Sequence, residues 1–353
     1  MDKKAIISSL QLSQEDLLKA GCFDTNQIVK IIEAALVSFK KGEIIFPDKT
    51  VQIFDKKTQS RINCLPSTLL REKVCGVKWV SVFPQNPALY NKQNLSAVIL
   101  LSNIRDGFPL TIMDGTFISN IRTAGIGSVA AKYLAKKDSK VIGFIGSGEQ
   151  AKMHLITMLS VRPSLKECRV ASLNPKNEEK FIREMQVIFP GVLFQGTKSD
   201  LGKAVIGADI VITATSAQLP LLKKKWLKEG VFYCHVGGYE DEFSVALACN
   251  KIVCDDWQIV KHRTQTLSLM YKKGILKDQD VYANLVEIVS GKKQGRQNPM
   301  EKIYFNSVGL SYLDIAIANW MYQKCLKASL GKEIIFQKEM IFSRPDIRRF
   351  IKS

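Results

Sequence analysis

The sequence predicts an α/β protein of two domains, and three observations carry that reading. From Lys140 onward, short apolar runs alternate with amphipathic stretches, as in a doubly wound parallel sheet. The glycine-rich turn GSGEQA (146–151) follows one such run and opens a helical stretch, as in a Rossmann dinucleotide-binding domain. Both flanks read differently, as helices and strand-like pieces separated by turns, which predicts a mostly antiparallel α+β domain built from the two chain ends. The boundaries expected are 1–120 with 311–353 for that domain and 121–310 for the Rossmann domain.

In chain order, helical patterns cover Ser13–Ala20 and Thr25–Phe39, the second with Ile28, Ile31, Ile32, Ala35 and Leu36 on one face. The strand-like pieces TVQIFD, RINCLPS, VCGVKWVSVF, SAVILLSN and PLTIMDG follow, with Arg105-Asp106-Gly107 as a turn. A small-residue helix over 117–136 links the two regions. Parallel strands are expected at 141–146, 168–173, 192–196, 209–215, 231–237 and 251–256, with QAKMHLITMLSV, NEEKFIREMQVIF, SDLGKAVIG and KKKWLKEG as helices between them. A last helix, Leu313–Ala328, returns to the first domain.

The 353 residues suit two cores, and 46% hydrophobic with 24% charged residues is an ordinary globular composition. No stretch approaches the ~20 apolar residues that span a bilayer, and the first residues carry charges too closely spaced for a signal peptide, so the chain reads as cytoplasmic with no membrane partner. The eight cysteines are scattered without a C-x-x-C pair, which predicts buried thiols and no metal site. A net charge of +18 invites nucleic acid, yet the lysines are dispersed and lack interleaved aromatics. A solvated basic surface that draws an anionic small molecule is the expectation, with no nucleic-acid partner.

In the turn, Gly146 permits a tight reversal, Gly148 lets a pyrophosphate approach, and Ala151 keeps helix and strand close. Ser147, Glu149 and Gln150 complete the loop, whose helix N-terminus offers N–H groups to phosphates. The end of the next strand reads ASLNPK (171–176), without the acid that grips the ribose of NAD; Ser172, Asn174 and Lys176 would accept a 2′-phosphate. NAD and NADP both remain open, since Lys176 serves equally well as a solvated helix residue.

The stretch MDGTFISNIRTAGIGSVAAKYLA (113–135) next to this turn, VCGVKWVS (74–81), and FNSVG (305–309) with Asp314 resemble the ornithine cyclodeaminase/μ-crystallin family over nearly the whole chain. The resemblance implies an NAD(P)-dependent enzyme on a small amino-acid substrate, with chain ends forming a substrate and dimerisation domain and a homodimer as the assembly. Residue by residue, it places Lys78 beside the substrate, Arg122 on its carboxylate, Ser96 near the cofactor and Thr123 on a phosphate. The segment Thr213–Ala217, with Thr215 and Ser216, and the run Ser307, Val308, Gly309 would wall the nicotinamide ribose and ring. Independently, an arginine suits a bidentate carboxylate pair and a lysine beside a cationic ring suits proton transfer. Asp114 is a second acid/base candidate, with capping of the linking helix as its alternative. His235 lies in an apolar strand, which favours a satisfied core role over a base.

Two departures set this chain apart from cyclodeaminases that turn ornithine into proline. Those carry an aspartate directly after a Gly-Gly pair, where this chain has Gly237-Gly238-Tyr239; Glu240, Asp241 or Glu242 would have to substitute from another register. They also carry an arginine near the position of Gln52, which Lys49 or Arg61 would have to replace; Arg61 is the substrate-binding candidate. RINCLPS (61–67), KWV (78–80), the Asn-rich 86–94 segment, CDDW (254–257) and NLVEIVSGKKQGR (284–296) resemble one branch of the family. Enzymes of that branch oxidise N-(2-amino-2-carboxyethyl)-L-glutamate to L-2,3-diaminopropionate and 2-oxoglutarate for siderophores or antibiotics. Ornithine cyclisation, another amino-acid dehydrogenase or a ketimine reductase are the alternatives.

Overall fold

The computed structural model describes residues 6–352. They fall into two units, one of residues up to Asp24, Lys41–Ser119 and Ser311 onward, the other of Thr25–Lys40 and Asn120–Leu310. The fold is α/β, with one mixed, mostly antiparallel sheet and one wholly parallel sheet.

In the first unit the strands are β1 (Ile7–Leu12), β2 (Ile44–Ile45), β3 (Thr50–Asp55), β4 (Ser60–Leu69), β5 (Val74–Val82), β6 (Leu95–Asn103), β7 (Pro109–Asp114) and, from the far end of the chain, β16 (Lys332–Gln337). Their order is β16-β1-β7-β6-β5-β4-β2, with β3 on β4, and only β1 with β7 runs parallel. Along β5 and β6 buried and more exposed residues alternate, as a strand covered on one face requires. The covering element is the Ser311–Lys327 helix. At Gly76 a Cβ would come within 2.8 Å of Ile315 Cδ1, so glycine is what lets this helix seat on β5. Strand β1, between β16 and β7, and the edge strand β16 have six residues each and show no clean apolar alternation in the sequence.

The second unit holds β8 (Val141–Ile145), β9 (Glu167–Ala171), β10 (Leu193–Gly196), β11 (Ile210–Thr213), β12 (Phe232–His235), β13 (Lys251–Cys254), β14 (Ala283–Asn284) and β15 (Ile303–Asn306), all parallel, in the order β10-β9-β8-β11-β12-β15-β13-β14. Strands β11, β12, β13 and β15 are buried at every residue, because helices cover both faces. The six expected strands are present; β15, inserted between β12 and β13, and the short β14 are additional. The stretch KKKWLKEG forms only a 3-10 turn, Lys224–Trp226, since it lacks an apolar face to bury. Helix Thr25–Lys40 belongs to this unit and not to the first, contrary to the expected boundary. The reason is close packing on the Thr116–Leu134 helix: a Cβ at Gly125 would lie 2.5 Å from Ile32 Cδ1. The C-terminal carbonyls of that long helix, Ala131, Lys132 and Ala135, accept hydrogen bonds from Arg162 at 2.6–3.1 Å. Among the described residues no helix is long and apolar enough to cross a membrane.

Candidate active site

Strand order reverses on either side of β8, and the carboxyl ends of strands at such a switch point are where open α/β sheets bind ligands. The glycine-rich loop sits there. Gly146 has φ +106°, and a Cβ on it would meet the Ala214 carbonyl at 2.4 Å, so only glycine makes this turn. A Cβ on Gly148 would meet nothing within 4 Å, which leaves the backbone open to a close-lying group. Gly148 is the N-cap of helix Glu149–Val161, whose side-chain cap is absent, and Ala151 is fully buried against the sheet. Ser147 is half-buried, Glu149 is exposed and paired with Lys152 at 2.6 Å, and Gln150 donates to Asn120 at 2.9 Å. This loop fits a dinucleotide pyrophosphate.

At the end of β9, Ser172 is half-buried while Asn174 and Lys176 are exposed. Asn174 Oδ1 accepts the Lys176 N–H at 3.0 Å, capping the next helix. The nearest acid, Glu178, points inward: its buried carboxylate accepts the N–H groups of Ser172, Lys198 and Ser199 at 2.8–2.9 Å. Sequence reasoning did not single out Glu178, because a glutamate in the first turn of a helix reads as a solvated residue.

Three buried side chains lace the loops after β11, β12 and β15. Glu240 Oε1 accepts from the Thr215 N–H and Oγ1, each at 2.6 Å, while Oε2 accepts from Gly237 N–H at 2.7 Å and Thr213 Oγ1 at 2.9 Å. Asp255 Oδ2 accepts from Ser307 Oγ at 3.0 Å and from the N–H groups of Val308 and Gly309 at 2.8 Å. Burial pushes the Asp255 carboxyl up, against those same donors. Gln265 donates to the Gly237 carbonyl at 2.7 Å and the Ser307 carbonyl at 3.0 Å. Ser216 is exposed. Arg122 is buried and its guanidinium lies on Gly309, where a Cβ would come within 2.6 Å of Nη1. Thr123, its neighbour, is half-buried.

Below Glu240, Asp241 Oδ1 accepts from Thr266 Oγ1 at 2.6 Å and Tyr304 Oη at 3.0 Å, and burial pushes its carboxyl up to about 6. His235 Nε2 lies 3.5 Å from Asp241 Oδ1 and 3.7 Å from Glu240 Oε2. Neither ring nitrogen makes a hydrogen bond among the described residues, so this histidine is a core residue but not a satisfied one. Glu240 and Asp241 are fully buried and occupied by these donors. Neither carboxylate is presented in the manner of an acid exposed after the Gly-Gly pair.

In the first unit, Lys78 on β5 is buried, donating to Asp314 Oδ1 at 2.7 Å and Ser119 Oγ at 3.2 Å. Asp314 compensates a charge that would be costly alone. Both oxygens of Asp114 accept backbone N–H groups, from Thr116 at 3.1 Å and Phe117 at 2.9 Å. This is the capping alternative, with both carboxylate oxygens engaged at the helix start. Arg61 on β4 donates to the Gln59 carbonyl at 2.8 Å, and burial holds its guanidinium below the usual value. Ser96 on β6 is exposed, paired with Ser81 of β5.

The sequence profile of the ornithine cyclodeaminase/mu-crystallin family matches residues 14–329. A solved structure of Thermococcus litoralis Δ1-pyrroline-2-carboxylate reductase, in complex with NADH and L-proline, is 33% identical, with a TM-score of 0.87 over 92% of this chain and 100% of that one. An archaeal alanine dehydrogenase, solved as a dimer with bound NAD, is 28% identical, with a TM-score of 0.85 over 94% and 100% of the chains. The N-((2S)-2-amino-2-carboxyethyl)-L-glutamate dehydrogenase of Staphylococcus aureus is 27% identical over 326 residues, 91% of this chain and 97% of its own. With a parallel sheet, a glycine-rich turn at its switch point and a profile match that spans both units, the chain belongs to the ornithine cyclodeaminase/mu-crystallin family.

Proposed function

We propose that the chain is a nicotinamide-dependent oxidoreductase acting on the carbon–nitrogen bond of an α-amino or α-imino acid. The observation that carries this reading over a lyase is the inward burial of Glu240 and Asp241 behind Tyr239, which leaves the Gly-Gly turn without a presented acid. The dehydrogenases and reductase among its relatives agree with it. Gly146 to Ala151 would hold the pyrophosphate of NAD(H) or NADP(H), with Ser172, Asn174 and Lys176 at the adenosine end and the 215–216 and 307–309 runs at the nicotinamide end. When bound, the nicotinamide supplies the two-electron acceptor at the α-carbon, leaving an imine that water opens to a keto acid and an amine.

The chain's own residues bind, orient and move the proton. Arg122, whose guanidinium lies against Gly309, takes the α-carboxylate through its planar pair of donors. Arg61 takes a further carboxylate of a larger substrate. Lys78, held by Asp314, manages the proton that leaves the amine or the attacking water. Ser96 and Thr123 complete the cofactor contacts. For the substrate we propose N-(2-amino-2-carboxyethyl)-L-glutamate, on the strength of RINCLPS, CDDW and the 284–296 stretch and of the S. aureus relative. L-2,3-diaminopropionate and 2-oxoglutarate would be the products, serving siderophore or antibiotic synthesis.

A homodimer is proposed as well. Trp79 and Val98, paired across β5 and β6, are 46% and 48% exposed on the sheet face opposite Gly76 and its helix, an apolar face that a second copy would cover.

The test is product analysis by mass spectrometry after incubation with NAD⁺ or NADP⁺ and, separately, the glutamate conjugate, L-alanine, L-proline and L-ornithine. Diaminopropionate with 2-oxoglutarate from the conjugate alone is expected. Pyruvate or pyrroline-2-carboxylate as the preferred product would replace the substrate and keep the reaction type, and proline from ornithine would overturn both.

A further inference from the structure

A buried carboxylate of the second unit, Glu240, joins two of the loops that end at the carboxyl edge of the sheet, one of them through Thr215 of the 215–216 run. Glu240 is fully buried and makes four contacts of 2.6–2.9 Å. They go to the last residue of β11, to the loop after it, and to the turn after β12. From this geometry we infer that Glu240 is a positioning residue, which sets the loops Thr213–Ala217 and Gly237–Tyr239 in the conformation that receives the nicotinamide half of the cofactor. The inference rests on the oxidoreductase reading above and goes beyond it.

Three features make the clamp specific to a carboxylate. Each oxygen takes one backbone N–H, Oε1 that of Thr215 and Oε2 that of Gly237. An amide has one acceptor oxygen and one donor nitrogen, so either orientation of a glutamine sets a donor against a donor. The carboxylate also lies directly on Gly237, where a Cβ would come within 2.5–2.6 Å of it, which accounts for a glycine at a position without positive φ. The Thr215 hydroxyl, finally, gives its hydrogen to Glu240 and accepts the Ala217 N–H at 3.1 Å. With its N–H and its hydroxyl both held by Glu240, Thr215 is thereby a loop-shaping residue. Gly238 continues the contact, with its Cβ direction 2.8 Å from Gln218 Nε2 of the neighbouring loop.

Loops held in advance bind a ligand without the entropy cost of ordering, so losing the clamp appears as weaker cofactor binding before it appears in the chemistry. The experiment uses the full chain and NADH or NADPH fluorescence to measure dissociation constants for wild type, Glu240→Gln, Thr213→Val and the double variant, with thermal melts to show folding. Thr213 is fully buried, and its hydroxyl meets Glu240 Oε2 at 2.9 Å and Tyr233 Oη at 2.8 Å, which makes it the side-chain partner to remove together with Glu240. Glu240→Gln is expected to weaken cofactor binding about tenfold or more and Thr213→Val about fivefold, with the double variant well short of the product of the two. Substrate KM at saturating cofactor stays within a factor of about two, a split that general destabilisation would not produce. A Glu240→Gln protein that folds and binds cofactor like wild type overturns the inference, as does strict independence of the two substitutions. If Glu240→Gln does not fold, Thr213→Val decides alone: wild-type affinity in it is the overturning result. Absence of cofactor binding by the wild type would instead overturn the oxidoreductase reading.

Discussion

Arg122, the proposed carboxylate-binding residue, is recognisable in the sequence, but its setting is not. Its guanidinium rests on Gly309, almost two hundred residues on, and Gly309 is held by Asp255, which nothing in CDDW marks as a bracket rather than a solvated acid. Arg122→Lys is expected to raise substrate KM by about tenfold or more, because an ammonium cannot reproduce the two parallel donors; steady-state kinetics at saturating cofactor checks it. Lys78 is likewise legible through resemblance, whereas Ser119, three residues before Arg122, was not singled out as a partner of its ammonium. The buried acids behave differently from one another. Asp241 has its folded value raised to about 6 from an ordinary 3.8, so the folded chain holds that proton longer than the unfolded one. Its stabilising share is complete below about 3.8 and is lost as pH rises through about 6. In Asp241→Asn the amide oxygen keeps the bonds from Thr266 and Tyr304, so the melting temperature should fall less across this window than in wild type. Identical melting profiles would remove Asp241 as the titrating group.

At the scale of elements, periodicity did well where burial is two-sided and long. VIGFI and DIVITAT stand out as apolar runs between helices, and the structure has them as β8 and β11. Strand β15 is hidden because its last two residues open the FNSVG stretch, which reads as a ligand motif, and β1 because the serine pair in ISSLQL breaks the apolar alternation. The sequence shows the apolar face of the Thr25–Lys40 helix but not that Gly125 receives Ile28 and Ile32, which is why its place in the second unit is not legible there. Asp114 is the start signal of the Thr116–Leu134 helix. Asp114→Ala should cost about 1 kcal/mol of stability, read as a lower denaturation midpoint at unchanged slope. An unchanged midpoint would show that water satisfies those N–H groups equally well. Gly146→Ala adds a test of the phosphate turn, since φ +106° and the Ala214 carbonyl leave no room for a methyl; loss of cofactor binding by at least about tenfold is expected from fluorescence titration.

For the whole molecule, the formal charge of +18 favours small anions as a net effect and explains no contact by itself. The proposed dimer makes a prediction of its own: Trp79→Lys or Val98→Glu would place a charge on the apolar face, and sedimentation should then report a monomer where wild type is a dimer. Wild type sedimenting as a monomer would return that face to solvent. The claim on which everything else depends is that the chain moves electrons between a nicotinamide and a carbon–nitrogen bond, with net turnover of cofactor. The most direct measurement is absorbance of the reduced nicotinamide band during reaction with N-(2-amino-2-carboxyethyl)-L-glutamate, with ornithine in parallel. The account predicts one reduced cofactor for each 2-oxoglutarate released and none with ornithine. Ammonia and proline from ornithine, without net cofactor reduction on either compound, would contradict it.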